Sequence, residues 1–340
     1  MRSEMTHWER MRAALRGEET DRPPICLWHH WPVKDQAADS LAAAIIEWQR
    51  EYDCDLVKHA PAGSYVVEDW GGQTTYIPEN DRGLGIRTIT RRAITATEQW
   101  PRLAQLDVNR GHLAMQLEAV RLVAEALGDS VPVLQTVFSP LNTAPKLAGD
   151  RAFADMRRHP DLFKQGLQII AETTARFALA SLQAGAHGLF FVAPCNRRLY
   201  SEAEYRKFGE PYDRIILETA RPEAEILVLL AQGEEVMFDL VADYPIDALN
   251  WHDRTAGPSL QEAQERFSGL LMGGIDERGT LFNGPPEAIR AEVHDAVTQT
   301  QGRRLLVGPG GAPPVATPAE HFRVARLAVE EVEGTNPRSI

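Results

Sequence analysis

A chain of 340 residues, 44% hydrophobic and 25% charged, has the balance of a soluble globular protein. Its net charge of -12 disfavours nucleic acid or an anionic membrane as the main partner, since both reward a basic surface, while a local basic pocket for an anionic substrate stays compatible. No apolar run reaches the roughly 18 residues of a membrane span, the opening stretch mixes charges throughout, and Cys26, Cys54 and Cys195 form no C-x-x-C pair, so the expectation is a cytoplasmic protein without disulfides or a zinc ribbon.

Thr6 followed by Glu9 is a capping-box pattern that starts a helix, and Gly17 should end it. "DRPP" then breaks the helix and launches the first of eight predicted strands: 24–30 ("PICLWHH"), 55–60 ("DLVKHA"), 131–138, 188–193, 225–232, 247–252, 270–275 and 304–309. Helical patterns at 41–52, 115–127, 162–185 and 286–300 lie between them. Eight strands alternating with helices predict one (β/α)8 TIM barrel over residues 1–340, in preference to an open doubly wound sheet, since no G-x-G-x-x-G follows any strand. The long stretch 61–130 carries "YVVEDWGGQTTYI" and "RTITRRAITA". It reads as a lid-like insertion over the mouth, with a pair of short strands.

Polar residues at the carboxyl ends of barrel strands face the active-site mouth. Adjacent strand residues point to opposite faces, so His29 and His30 cannot share a site. The alternation Cys26, Trp28, His30 sends His30 inward and His29 under the helices; the competing reading has both bonding backbone carbonyls. The same logic divides Lys58 from His59. Lys58 would hold a carboxylate, or else pair with Asp55 or an acid of the mouth. Asn250 and His252 share a face, and Asp253 either orients His252 as an acid or base or caps the next loop. Asn196 and Arg197 follow the fourth strand, where a guanidinium suits carboxylate or phosphate, with surface solvation as the alternative. Asp276 touches substrate or caps a helix, Glu68 and Asp69 sit in the lid, and Cys195 reads as a buried inert thiol.

The segments "ERMRAALRGEETDRPP" (9–24), "LYSEAEYRKFGEPYDRII" (199–216), "ALNWHDR" (248–254), "GGIDERGTLFNGPPEAIRAEV" (273–293) and "LLVGPGGAPPVATPAEHFRVARLAVEEV" (305–332) together resemble the uroporphyrinogen decarboxylase superfamily, whose barrels include corrinoid-linked methyltransferases. The resemblance implies a homodimer acting on a small molecule. The decarboxylase's two strand-1 arginines are replaced by "ICLWHHWPV", its F-S-D-I aspartate falls near "KHAPAG", and its late histidine falls within "VGPGGAPP". The methyltransferases' zinc ligands, His-x-Cys and a later Cys, would fall at "LLAQGEE" and "VGPGGAP", where no soft ligand stands.

The expected activity is therefore that of a carboxy-lyase on a carboxylated, tetrapyrrole-like substrate other than uroporphyrinogen. It would use His30, His59, His252 and Asp253 as proton-transfer groups and Lys58, Asn196, Arg197, Asn250 and Asp276 to bind substrate, with no cofactor. The alternative is methyl transfer with a corrinoid protein, its zinc held by a non-standard set drawn from His30, His59, Cys195 and His252. A third reading is a non-catalytic binding barrel.

Overall fold

The computed structural model describes residues 4–78, 83, 85 and 87–332. The first helix, His7–Arg16, begins at the reciprocal Thr6–Glu9 capping box and ends on Gly17, whose φ of 74° is the left-handed conformation that glycine adopts without strain. Seven strands build one parallel sheet in the order β1 (Val57–His59), β4 (Val133–Phe138), β5 (Gly188–Ala193), β6 (Ile226–Ala231), β7 (Ala248–Trp251), β8 (Leu270–Ile275) and β9 (Leu305–Pro309). Every residue of these seven strands is buried, as expected of a parallel sheet with helices on its outer face.

The predicted first strand, 24–30, is reduced to a single parallel bridge between Ile25 and Val307. Its backbone still links the two edges, because Cys26 N–H donates to the Val307 carbonyl and Asp55 N–H donates to the Ile25 carbonyl. The ladder stops there for local reasons. Pro23 and Pro24 have no N–H to donate, and Leu27 N–H is spent on the Cys54 thiol, 3.4 Å away.

Segment 61–130 differs from the expected insertion. It does contain an antiparallel pair, β2 (Gln73–Thr75) with β3 (Thr88–Arg91), and a short helix, Tyr65–Glu68. Its last part is the helix Gly111–Leu127, which packs against β4 and the helix Ala38–Tyr52 as an ordinary member of the outer layer. Gly85 reaches the strand-end face, where an added Cβ would lie 3.0 Å from His30 Cβ and 2.9 Å from Val315 Cγ2. Among the described residues no helix is long and apolar enough to cross a membrane.

Candidate functional site

Register fixes which side chains point inward. Lys58 pairs with Leu134 and Thr136 with Phe190 across β1, β4 and β5, and Asn250 pairs with Met272 across β7 and β8. Partners in register share a face, so these residues line the interior, with His59 and Gln135 on the helix side.

His29 lies in an aromatic nest, stacked on Trp48 at 5.3 Å between ring centres and edge-on to Trp31 and Phe322, with Nε2 hydrogen-bonded to the Val315 carbonyl. His30 is partly exposed and makes no hydrogen bond or ion pair among the described residues. Burial, with the nearby Lys58 ammonium and His29, pushes its imidazole down to about 3.

Lys58 is 6% exposed. Its Nζ lies 4.8 Å from the Phe190 ring centre and 5.2 Å from that of Trp28, and burial pushes the amine down to about 7. The ion pair considered for it with Asp55 does not form, because that carboxylate accepts from Arg10, Arg22, His7 and Ile25 N–H instead. Among the described residues no carboxylate pairs with Lys58. The indole N–H of Trp28 is also buried and unpartnered, as is the Oδ1 of Asn250, whose amide donates to the carbonyls of Met272 and Pro309.

A second cluster stands at the ends of β7 and β8. His252 Nδ1 meets Glu277 Oε1 at 2.8 Å, with the two side chains 11% and 4% exposed. Sequence reasoning chose Asp253 and missed Glu277. Asp253 instead accepts the Gly274 N–H, and burial pushes its carboxyl up to about 7. Asp276, adjacent to the true partner, accepts the N–H groups of Arg278 and Gly279 and closes a turn. Glycine at position 311 makes room for the pair, since a Cβ there would lie 2.3 Å from His252 Cε1 and 3.1 Å from Glu277 Oε1.

The other expected residues do not join these clusters. His59 faces the helix layer, bonded to Gln116 at 3.2 Å. Asn196 spans its own loop, donating to the Gln232 carbonyl and accepting from Leu199 N–H. Arg197 is half exposed and occupied by the Val236 carbonyl and Glu202. Glu68 pairs with His112 and Thr74, while Asp69 accepts the first N–H groups of the Gly111–Leu127 helix. A cleft of about 480 Å³ lies at the opposite end of the strands, with Arg12, Arg16, Glu225 and Asp247 as its charged lining; these charges are taken up in the Arg12–Glu225, Arg16–Glu18 and Arg221–Asp247 pairs.

All three cysteines are free and buried, and burial raises each thiol above its ordinary value. The native protein is therefore expected to resist DTNB and to release three reactive thiols only when denatured; rapid labelling of the folded chain would contradict this burial.

The zinc implied by the methyltransferase resemblance does not fit these donors. Within "LLAQGEE", where the His-x-Cys would fall, Gln232 accepts from Asn142 and Glu234 pairs with Arg198. Among the described residues no three His, Cys, Asp or Glu side chains are grouped to hold a metal ion. The alternative set is dispersed too, with His59 turned to Gln116 and Cys195 fully buried.

The uroporphyrinogen decarboxylase (URO-D) family profile matches residues 6–332. A methylcobamide:CoM methyltransferase, MtbA of Methanosarcina mazei, is 22% identical over 85% of this chain and 88% of its own. A uroporphyrinogen decarboxylase of Burkholderia pseudomallei is 29% identical, over only 63% of this chain and 62% of its own. A solved methyltransferase structure from Methanosarcina mazei superposes with a TM-score of 0.84 at 22% identity, covering 96% of this chain and 99% of that one. The carboxy-lyase expectation is thereby corrected, since methyltransferases match nearly the whole chain and decarboxylases only part of it. By the match over residues 6–332, the chain belongs to the uroporphyrinogen decarboxylase (URO-D) family.

Proposed function

We propose that this protein is a methyltransferase, moving a methyl group between a cobamide and a small molecule held at the strand-end face. The observation that carries the reading is the near full-length similarity to a methylcobamide:CoM methyltransferase. Two features of the chain agree with it. The arginines with which the decarboxylase grips carboxylates are replaced by "ICLWHHWPV". The indole N–H of Trp28 also stays buried without a partner beside the Lys58 amine, which has no counter-charge, and a ligand's polar group would satisfy both, since a buried unpaired donor costs about 1–3 kcal/mol.

With Cys-ligated zinc unsupported by the donor set, the acceptor is prepared by the chain's own groups. His252, steadied by Glu277, is the group able to take a proton from an acceptor or return one. The partner on this reading is a cobamide, free or presented by a carrier protein.

Methylcobalamin supplied with a panel of small thiols, amines and hydroxy compounds tests the proposal. Protein-dependent loss of the methyl–cobalt absorbance, with a methylated product by mass spectrometry, is the expected result. No transfer to or from the cobamide with any member, by folded protein, would overturn it.

A further inference from the structure

We propose that Lys58, Trp28 and His30 form a receptor for the anionic end of a small molecule, an oxyanion of the carboxylate or sulfonate class. Lys58 is buried between two aromatic rings with no counter-charge. Trp28, 2% exposed, has a buried N–H with nothing to receive it. His30 comes from the same inward-facing alternation, Cys26–Trp28–His30, and bonds to nothing described.

A buried amine without a counter-charge and a buried indole N–H without an acceptor, with Nζ 5.2 Å from the indole ring centre, share a single remedy. An oxyanion against Nζ supplies the missing charge and accepts from the indole and imidazole N–H groups, and charge-assisted bonds of this kind are the strong ones. Phe190 and Trp28 exclude water around it, which strengthens the attraction. The other titratable groups near the ammonium are the Cys26 thiol, which burial keeps protonated, and the imidazoles of His30 and His59, so no acid of the wall competes for the site.

The geometry also sets a proton requirement. Empty, the amine holds its proton only below about 7 and the imidazole only below about 3. A bound anion favours the protonated forms, so binding takes up protons and weakens as pH rises. Identifying the anion as the small-molecule partner of methyl transfer rests on the proposed function; the receptor itself does not.

The test uses the full chain with acetate, methanesulfonate and inorganic phosphate, read by calorimetry and thermal shift, against Lys58→Met and Trp28→Phe. At least one monoanion is expected to bind the wild type, with proton uptake measured in buffers of different ionisation enthalpy. Lys58→Met should weaken binding at least tenfold while melting no lower than wild type, since it removes an uncompensated buried amine. Trp28→Phe keeps the packing and should weaken binding several-fold, so the receptor can still be tested if the lysine variant fails to fold. Equal binding by wild type and both variants, or no binding of any probe, would overturn the receptor. Binding without methyl transfer would leave the receptor and remove the proposed function, and methyl transfer without binding would do the reverse.

Discussion

Asp55→Asn is expected to lower the unfolding free energy by about 3–5 kcal/mol, the usual cost of breaking a buried ion pair by removing one partner. Asp55 is fully buried just before β1. Its two oxygens accept from Arg10 at 2.5 Å, Arg22 at 2.6 Å, His7 at 2.9 Å and the Ile25 amide at 2.9 Å. The substitution leaves Arg22, 8% exposed, without a carboxylate, because Asp21 is already held by Arg10. It also weakens the bond that ties the 24–28 segment to β1, so the first helix, the irregular segment and the sheet loosen together. A shift of the urea midpoint with unchanged slope would report this loss of stability, and a midpoint within about 0.5 kcal/mol of wild type, in the range of ordinary surface substitutions, would refute it.

The same network sets an acid limit. Burial pushes the Asp55 carboxyl up, but His7, Arg22 and Arg10 outweigh it and hold the group well below the usual carboxylate range. A group depressed in the folded state stabilises above its unfolded pKa, about 3.9, and that contribution is lost as pH falls through the folded value. Wild type should therefore lose more stability than Asp55→Asn on acidification below about pH 4, and parallel acid-unfolding curves would contradict the assignment.

Much of the architecture was legible because its causes are local and periodic. The Thr6–Glu9 cap, Gly17 and seven buried apolar runs each act within a few residues, and the parallel β-α rhythm follows from them. Alternation likewise pointed His30 inward and divided Lys58 from His59, but it did not say which of that second pair faces the mouth; the β1–β4 register does. The partner of His252 was not, because which carboxylate reaches an imidazole depends on how far β7 and β8 extend and on the turn closed by Asp276. Two adjacent acids, Asp276 and Glu277, differ in role because the first accepts the Arg278 and Gly279 N–H groups while the second meets His252. The 24–30 segment misled in another way, since its apolar pattern is that of a strand while flanking prolines and the Cys54 thiol remove the ladder. The reaction class was misjudged because the missing decarboxylase arginines and the missing zinc ligands were both absences, and absences do not rank two alternatives.

His252→Ala is expected to reduce methyl transfer by about 10²–10⁴-fold, the range associated with a positioned proton-transfer group, with a lower melting temperature as well because the buried Glu277 carboxylate loses its partner. The buried carboxylate of Glu277 accepts a hydrogen bond, which assigns the proton to His252 Nδ1 and leaves the Nε2 lone pair available. Added imidazole should restore part of the lost rate in His252→Ala, an effect that a merely structural histidine would not show. Glu277→Gln acts one step removed, through the tautomer and orientation of the ring. It should lower kcat with little change in KM, because substrate contacts are not its own. Gly311→Ala probes the same geometry from the third side, since its methyl carbon would occupy the position 2.3 Å from Cε1, closer than any real contact allows. It should reproduce the kcat loss of the glutamate variant without altering anion binding at Lys58. If His252→Ala retains full activity, or if the Gly311 and Glu277 variants change KM alone, the pair serves the fold and not the reaction.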